Sequence, residues 1–566
     1  MTDSQFKPPS GGKKNTMTII IAVVVVVIVI AAAVVIVEME RKPAPPTPSK
    51  TVEFYTWWAT TGKVALDKVA PAFHNATGLT LSPYVSPGAG GSNAIYAILS
   101  LMEAGKPPAT FQTHFGPGML SYAEATSAGA SAFVNMGPVA ESMNLTNNSF
   151  PEVIEAGTFN GTMLSLPVDL HQGAQLYFNP NFLKAHHQPM PTTLAQLVNV
   201  TKNLTAKHVT AWIIPGGDGG WDQLNVWEDI FLSVAGGTMY NEMMYGDISP
   251  AQMPTFLHDF NVTNSYYSLF QNDSFSGEQS LSWTQAIPYV TNGTVGFQVN
   301  GNWYTNYAYD YLNVSNYPAV APYDNNITGS NYTNSHPVTA NGKNISLMSS
   351  DFPGTSKYYV MITDSVAVPK GPNQANGLTF AKYFSSYTGN KIFAKWKATS
   401  FYKNLTADIY NTPAQYYSHQ QAAATPASDW LYQLSDGGLF AGPLASAESA
   451  MTTFSETVST AYSTASKTLD SAMVSMLSSE KSDWMAANAM GLGYMGSPGH
   501  VFGNYLPTWA NTTANRTASS SLVTVNVAHA NSAALDNSPV EYVYLSPLSF
   551  LYLENMVVSG TTFVKS

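Results

Sequence analysis

Between Met17 and Val37 the chain reads MTIIIAVVVVVIVIAAAVVIV, 21 residues without a charge. As a helix rising about 1.5 Å per residue, this run spans roughly 30 Å, the thickness of a bilayer's hydrocarbon core. It lacks the polar face that a helix packed on a soluble core carries. The reading is a membrane anchor over 17–37. Lys7, Lys13 and Lys14 precede it, while Arg41 and Lys42 come after it with Glu38 and Glu40 among them. The balance favours a cytoplasmic 1–16 by a narrow margin. A cleaved secretory signal has a shorter apolar region and a small-residue site after it, whereas Ala31 to Ala33 lie inside this run. A pilin-like signal cut before the run stays open beside an uncut anchor; both leave the run on the mature protein. Residues 38–50 end in KPAPPTPSK, a stiff polyproline-type spacer.

This reading places the chain beyond the anchor outside the cell. Of the 566 residues only 10% are charged, against about 25% in ordinary soluble domains. Asn, Ser, Thr and Tyr keep the surface wet instead, which predicts tolerance of an acidic exterior. A net charge of −11 and the absence of any basic cluster give no sign of nucleic-acid binding, so no nucleic acid is expected as a partner. With no cysteine, disulfides and thiolate metal sites are excluded too. Asn-X-Ser/Thr acceptors stand at Asn75, Asn144, Asn147, Asn160, Asn199, Asn203, Asn261, Asn272, Asn292, Asn313, Asn326, Asn331, Asn344, Asn404, Asn511 and Asn515. All lie beyond the apolar run, as glycosylation of an exported domain requires.

From Thr51 short apolar strands alternate with helical stretches, the pattern of an α/β layer architecture. Thr51 to Tyr55 predicts a strand and Val64 to Phe73 a helix. Tyr359 to Val368 predicts one continuous strand, followed by a helix from Gln374 with Leu378, Ala381 and Phe384 along one side. Ser446 to about Met490 reads as helical. Leu522–Val527 and Val540–Leu545 predict a small β-rich C-terminal extension over 501–566.

Four segments in order, Phe54-Tyr-Thr-Trp-Trp, Pro108-Ala-Thr-Phe-Gln-Thr-His, Leu166-Pro-Val-Asp-Leu-His and Ser282-Trp-Thr-Gln-Ala with Gly301-Asn-Trp303, are supported by Asp364-Ser-Val-Ala-Val-Pro-Lys-Gly. The set resembles the extracellular solute-binding proteins of sugar-importing ABC transporters, in their glucose/mannose-binding branch, over about 51–490. With its anchor and acceptors the chain further resembles archaeal glucose-binding proteins. The resemblance implies a two-lobed periplasmic-binding-protein-like (Venus flytrap) α/β fold over 51–500. One lobe would hold about 51–165 and 364–400, the other about 166–363 and 401–500. It implies capture of a monosaccharide, a glucose-like hexose, in the cleft between lobes. The partners are ABC permease subunits with a separate ATPase, and no cofactor or metal is called for.

A hexose offers apolar C–H faces and a belt of hydroxyls, so its binder needs flat aromatic rings plus in-plane donors and acceptors. Trp57 and Trp58 end a strand at the first strand-to-helix turn, where open α/β sheets place ligands. Gln112 and His114 alternate on one side of a short strand and are expected at the cleft edge. The resemblance adds His171, Trp283, Asn302, Trp303, Asp364 and Lys397. Asp364 is expected to face the ligand without bearing on folding, and Asp169 to lie away from the sugar. Two departures stand out: Ala59-Thr60-Thr61-Gly62 replaces an acidic position after the tandem tryptophans, and Phe440-Ala441-Gly442 replaces a binding histidine. A secreted glycoside-acting enzyme would need two carboxylates flanking the scissile bond, and no such pair is legible. A structural surface glycoprotein accounts for anchor and acceptors but not for tandem tryptophans at a strand end.

Overall fold

The computed structural model describes residues 50–433, apart from 311–338 and shorter internal stretches, together with three short strands between 524 and 565. The apolar run, the spacer and the helix expected over 446–490 lie outside the described residues, as do Val540–Leu545 and Phe440–Gly442. Among the described residues no helix is long and apolar enough to cross a membrane.

The strand β1 (Thr51–Thr56) alternates as read, burying Val52, Phe54 and Thr56. A helix over Thr61–Thr77 comes next, with Ala65, Leu66, Val69 and Phe73 turned inward at helical spacing. It stops at Gly78, whose φ of 72° lets its N–H reach the His74 carbonyl. Two more strands, β2 (Thr80–Val85) and β3 (Thr110–His114), run parallel to β1 on either side. The sheet continues through β10 (Asp364–Ala367) to β4 (Ser165–Pro167), each antiparallel to its neighbour. The order is therefore β2-β1-β3-β10-β4. Helices Gln374–Phe384 and Tyr387–Trp396 cover one face, where Phe54, Phe73, Phe380, Phe384 and Phe393 form an aromatic core.

The second body is built on two three-stranded sheets. One joins β8 (Met348–Asp351), β6 (Gln175–Phe178) and β7 (Phe297–Asn300); the other joins β11 (Trp430–Tyr432), β9 (Tyr359–Ile362) and β5 (His171–Gln172).

The single strand expected over Tyr359–Val368 is two strands in two sheets. Ile362 pairs with His171 in one sheet, and Asp364 pairs with His114 in the other, so Thr363 alone makes the crossing. Residues on both sides are buried on both faces, and a continuous apolar run carries no mark of a change of partner. Val168–Leu170 makes a second crossing alongside that of Thr363, in the opposite direction, between β4 and β5. Its Val168 N–H meets the Asp364 carbonyl, and its Leu170 exchanges backbone bonds with Thr399. Near the C-terminus, Thr524–Asn526, Met556–Ser559 and Thr562–Lys565 pair antiparallel.

Candidate functional site

The cavity at these crossings has a volume of about 380 Å³, within the roughly 300–1,000 Å³ of small-molecule sites. The pairing of β3 with β10 sets its floor, because the register places His114 beside Asp364 at the sheet edge. Trp57 and Trp58 come directly after β1 and diverge. Trp57 stays half-buried against the His114 ring, 5.0 Å between centroids. Trp58 is only 4% exposed, tilted on Phe393 at 4.8 Å, with its Nε1–H donating to Asp364 Oδ2 at 3.1 Å. Gly62 makes that pose possible, since a Cβ there would fall 2.5 Å from Trp58 Cβ and Cγ. Gly301 does the same for Trp303: a Cβ would lie 2.1 Å from the indole.

Asp364 is the centre of a buried ionic network. Lys397 Nζ lies 3.5 Å from its Oδ2, His171 Nε2 3.8 Å from the same oxygen, and His114 Nε2 3.9 Å from Oδ1. Burial pushes the Asp364 pKa up, but Lys397, His171 and His114 together outweigh it and hold the carboxyl well below the ordinary carboxylate range. Asp169 and His171 complete the network, 3.1 Å apart. Burial and then Asp364 raise the Asp169 pKa against the pull of His171 and Lys397. His171 is lowered by burial and Lys397, yet the two carboxylates leave it above its ordinary value. Two carboxylates, an imidazole and an ammonium therefore meet in one buried cluster. The three side chains Asp169, His171 and Asp364 bring ligand atoms within 4.8 Å of one another, as a cation site would. Lys397 Nζ, 2.9 Å from His171 Nε2, already supplies the positive charge there; a metal ion would meet it head-on.

Three expectations change. Gln112 does not reach the cavity. It is fully buried, donating to Asp364 Oδ1 at 2.9 Å and accepting from Thr56 Oγ1 and the Trp57 N–H. The strand alternates as read, but the Asp364 carboxylate stands between Gln112 and the open space. Asn302 likewise stands behind the wall. Its Oδ1 faces His171 Nδ1 at 2.7 Å, and its Nδ2 donates to Thr399 and Ser418. Asp169, expected to be remote, is wholly buried in the network and accepts the Asp364 N–H at 2.7 Å. The remaining candidates, Trp57, Trp58, His114, His171, Trp283, Trp303, Asp364 and Lys397, all line the cavity.

The far wall holds what the sequence reading missed. Trp303 meets His171 edge-on at 4.9 Å and Trp221 at 5.8 Å, and Asp218, Ser282 and Thr284 join Trp221 and Trp283 on the lining. Asp218 Oδ2 accepts the Trp283 backbone N–H at 2.9 Å, at the start of the helix Trp283–Thr291. Burial raises its pKa despite that bond and one with Asp222. The signal was present: Pro215-Gly216-Gly217-Asp218 is a turn sequence carrying a carboxylate next to Trp221, in a chain poor in charge. Five indoles with interspersed carboxylates, imidazoles, hydroxyls and one ammonium suit a small polyol with apolar faces.

The profile of the family described as bacterial extracellular solute-binding proteins matches residues 58–391. A protein named glucose-binding protein GlcS, from Saccharolobus solfataricus, is 43% identical over 459 residues, 81% of this chain and 79% of that protein. An uncharacterized ABC transporter extracellular-binding protein of Pyrococcus horikoshii is 26% identical over 46% of this chain and 58% of its own length. Among solved structures, the bacterial solute receptor AcbH aligns with a TM-score of 0.58 at 13% identity, covering 75% of this chain and 99% of that one. A chitin oligosaccharide binding protein aligns with a TM-score of 0.53 at 14% identity, covering 76% and 100%. These likenesses bear out the two-lobed α/β fold. By profile, relative and architecture together, this chain belongs to the bacterial extracellular solute-binding protein family.

Proposed function

We propose that this protein is the substrate-binding component of an ABC sugar importer. It takes up a monosaccharide, a glucose-like hexose, at the cell exterior and presents it to permease subunits driven by a separate ATPase. The observation that carries the reading is the cavity itself: tryptophans on both walls around a prearranged ionic floor, placed where the strands cross between the two bodies. The relative named as a glucose-binding protein points to the same ligand class.

In this reading the sugar's C–H face lies on Trp57 or Trp303, Asp364 and His114 meet its hydroxyls from one lobe, and Asp218 meets them from the other. Asp218 takes the place of the acidic residue missing after the tandem tryptophans. Lobes of 51–165 with 364–400 and 166–363 with 401–500 would close by bending at Val168–Leu170 and Thr363. The sugar favours the closed form by its extra contacts there. The apolar run 17–37 anchors the chain and 38–50 holds the lobes off the membrane. Of the acceptors whose side chains are described, Asn75, Asn144, Asn147, Asn199, Asn203, Asn272, Asn292 and Asn404 are all exposed, which supports a glycosylated exterior domain. Protease added to intact cells should release a fragment beginning near the spacer; protection until the membrane is opened would refute that topology.

One observation favours the enzyme alternative: the two carboxylates on the lining, Asp218 and Asp364, have pKa values moved in opposite directions, as acid and base pairs do. Asp364, however, has both oxygens engaged by Trp58 and Gln112. Titration calorimetry of the whole chain against monosaccharides, with product analysis of the same mixtures, separates the readings. Saturable binding of an unchanged hexose supports the importer, turnover supports the enzyme, and neither outcome rejects both.

A further inference from the structure

A second concavity, of about 340 Å³, lies apart from the sugar cavity and is lined by Met143, Asn148, Ser386, Tyr387, Tyr402 and Asn404. Two chain segments frame it. The Ser149–Tyr402 bridge and the Lys403 N–H to the Asn148 carbonyl bring residues 148–150 alongside 401–403. Tyr387 is 46% exposed and meets Tyr402 edge-on at 5.4 Å, so its ring offers an open face to the groove. Asn148 and Asn404 have no side-chain hydrogen bond among the described residues, and Asn404 is itself part of the wall.

Asn404 also begins an acceptor triplet, Asn404-Leu405-Thr406, in a turn, with Asn404 and Thr406 exposed and Leu405 buried beneath them. Across the groove rim are two more acceptors, which differ in a telling way. Asn147 lies within the short helix Leu145–Asn148 and its Nδ2 already donates to Asn144 Oδ1. Among the described acceptors, Asn404 alone combines an irregular backbone, a free amide and a place in the groove wall.

We infer that Asn404 carries an N-linked glycan whose first sugars seat in this groove, on the face of Tyr387 and against Asn148. The donor would be a lipid-phosphate-linked oligosaccharide. Asn404 Nδ2 bonds to the sugar's C1 as the C1–O bond breaks, its electron pair leaving on the lipid phosphate and the amide proton going to a base of the transferase. Sugar C–H groups suit the tyrosine ring, and sugar hydroxyls suit the amide of Asn148; the Ser386 hydroxyl is already engaged with the Tyr383 carbonyl and the Gly389 N–H. The covalent tether holds the sugars at high effective concentration, so weak contacts suffice to seat them. The glycan thereby ties the 143–149 turn to the 385–404 segment, away from the ligand cavity.

The test uses the full chain isolated from its own cells beside Asn404→Gln and Thr406→Ser, the last of which keeps the triplet. Glycopeptide mass spectrometry should find Asn404 occupied in the parent and in Thr406→Ser. Hydrogen exchange should be slower across 143–149 and 385–404 in those two than in Asn404→Gln, with hexose affinity equal in all three. An unmodified Asn404 overturns the inference. So does an occupied Asn404 with exchange as fast as in Asn404→Gln, or protection that depends on a glycan at Asn144 or Asn147 instead.

Discussion

The floor of the ligand cavity and its far wall solve opposite problems with the same residue type. On the floor, Asp364 is surrounded by donors: the Trp58 indole, the Gln112 amide, Lys397 and two imidazoles. Its charge is secured before any ligand arrives. On the far wall, Asp218 has a backbone N–H and a carboxylate neighbour, and burial raises its pKa. A carboxylate with spare acceptor capacity gains most from a hydroxyl that enters. The floor therefore serves chiefly to hold the crossing strands in one geometry, whereas the wall is left to be completed by the solute.

The largest effect expected from this contrast is on folding. Removing one partner from a buried ionic network leaves the others uncompensated, at a cost of about 3–5 kcal/mol. Asp364→Ala should therefore lower the urea unfolding free energy by that order and abolish sugar binding, rather than weaken binding alone. A variant that melts like the parent would show that the floor is not structural.

Glu278 tests the wall side. It accepts the Ile214 N–H at 2.5 Å and the Gln271 amide at 2.6 Å, and so braces the segment that presents Asp218. Burial raises its pKa from 4.5 to about 7. The folded state then binds this proton more tightly than the unfolded chain. The contribution is complete below about pH 4.5 and is lost as pH rises through about 7, on the order of 3 kcal/mol at 1.36 kcal/mol per unit. Stability should thus rise on acidification across that window, while Asp364, held low, keeps its own contribution until strongly acidic pH. Denaturant titrations at pH 4.5 and 7 on the parent and on Glu278→Gln check this; a flat parent curve would count against it.

Asp218→Asn keeps the shape and removes the charge. Hydrogen bonds to charged groups are worth about 1.5–3 kcal/mol, so hexose affinity should fall roughly 10- to 150-fold with the melting temperature nearly unchanged. Should Asp218→Asn unfold like Asp364→Ala, the distinction between floor and wall collapses. The smallest effect is expected at Trp57, half-buried beside His114. Losing one aromatic face is worth about 0.5–1.5 kcal/mol, or about 2- to 13-fold in calorimetric affinity for Trp57→Ala.

Much of the floor was legible in the chain itself. The strand β1, the helix after it and the tandem tryptophans emerge from period-two and helical spacing, and His114, Asp364 and Lys397 are among the residues on the cavity lining. The layers behind were not legible. Gln112 and Asn302 carry the same donors and acceptors whether they face a ligand or a neighbour, and only the positions of Asp364 and His171 decide which. Asp169 looked like a strand-end carboxylate because its partners, His171 aside, lie some 195 to 228 positions away along the chain at Asp364 and Lys397.

Spacing and composition are enough to establish an α/β chain with a long apolar run ahead of it, aromatic residues at strand ends and a surface that depends little on charge. It took the folded molecule to divide the run from Tyr359 to Val368 at Thr363, to join Asp169 with Asp364 on the floor, and to bring Asp218 to the cavity from the far wall. Each of those depends on which distant backbone lies opposite, and strand partners are chosen by burial across the whole fold rather than by any local pattern.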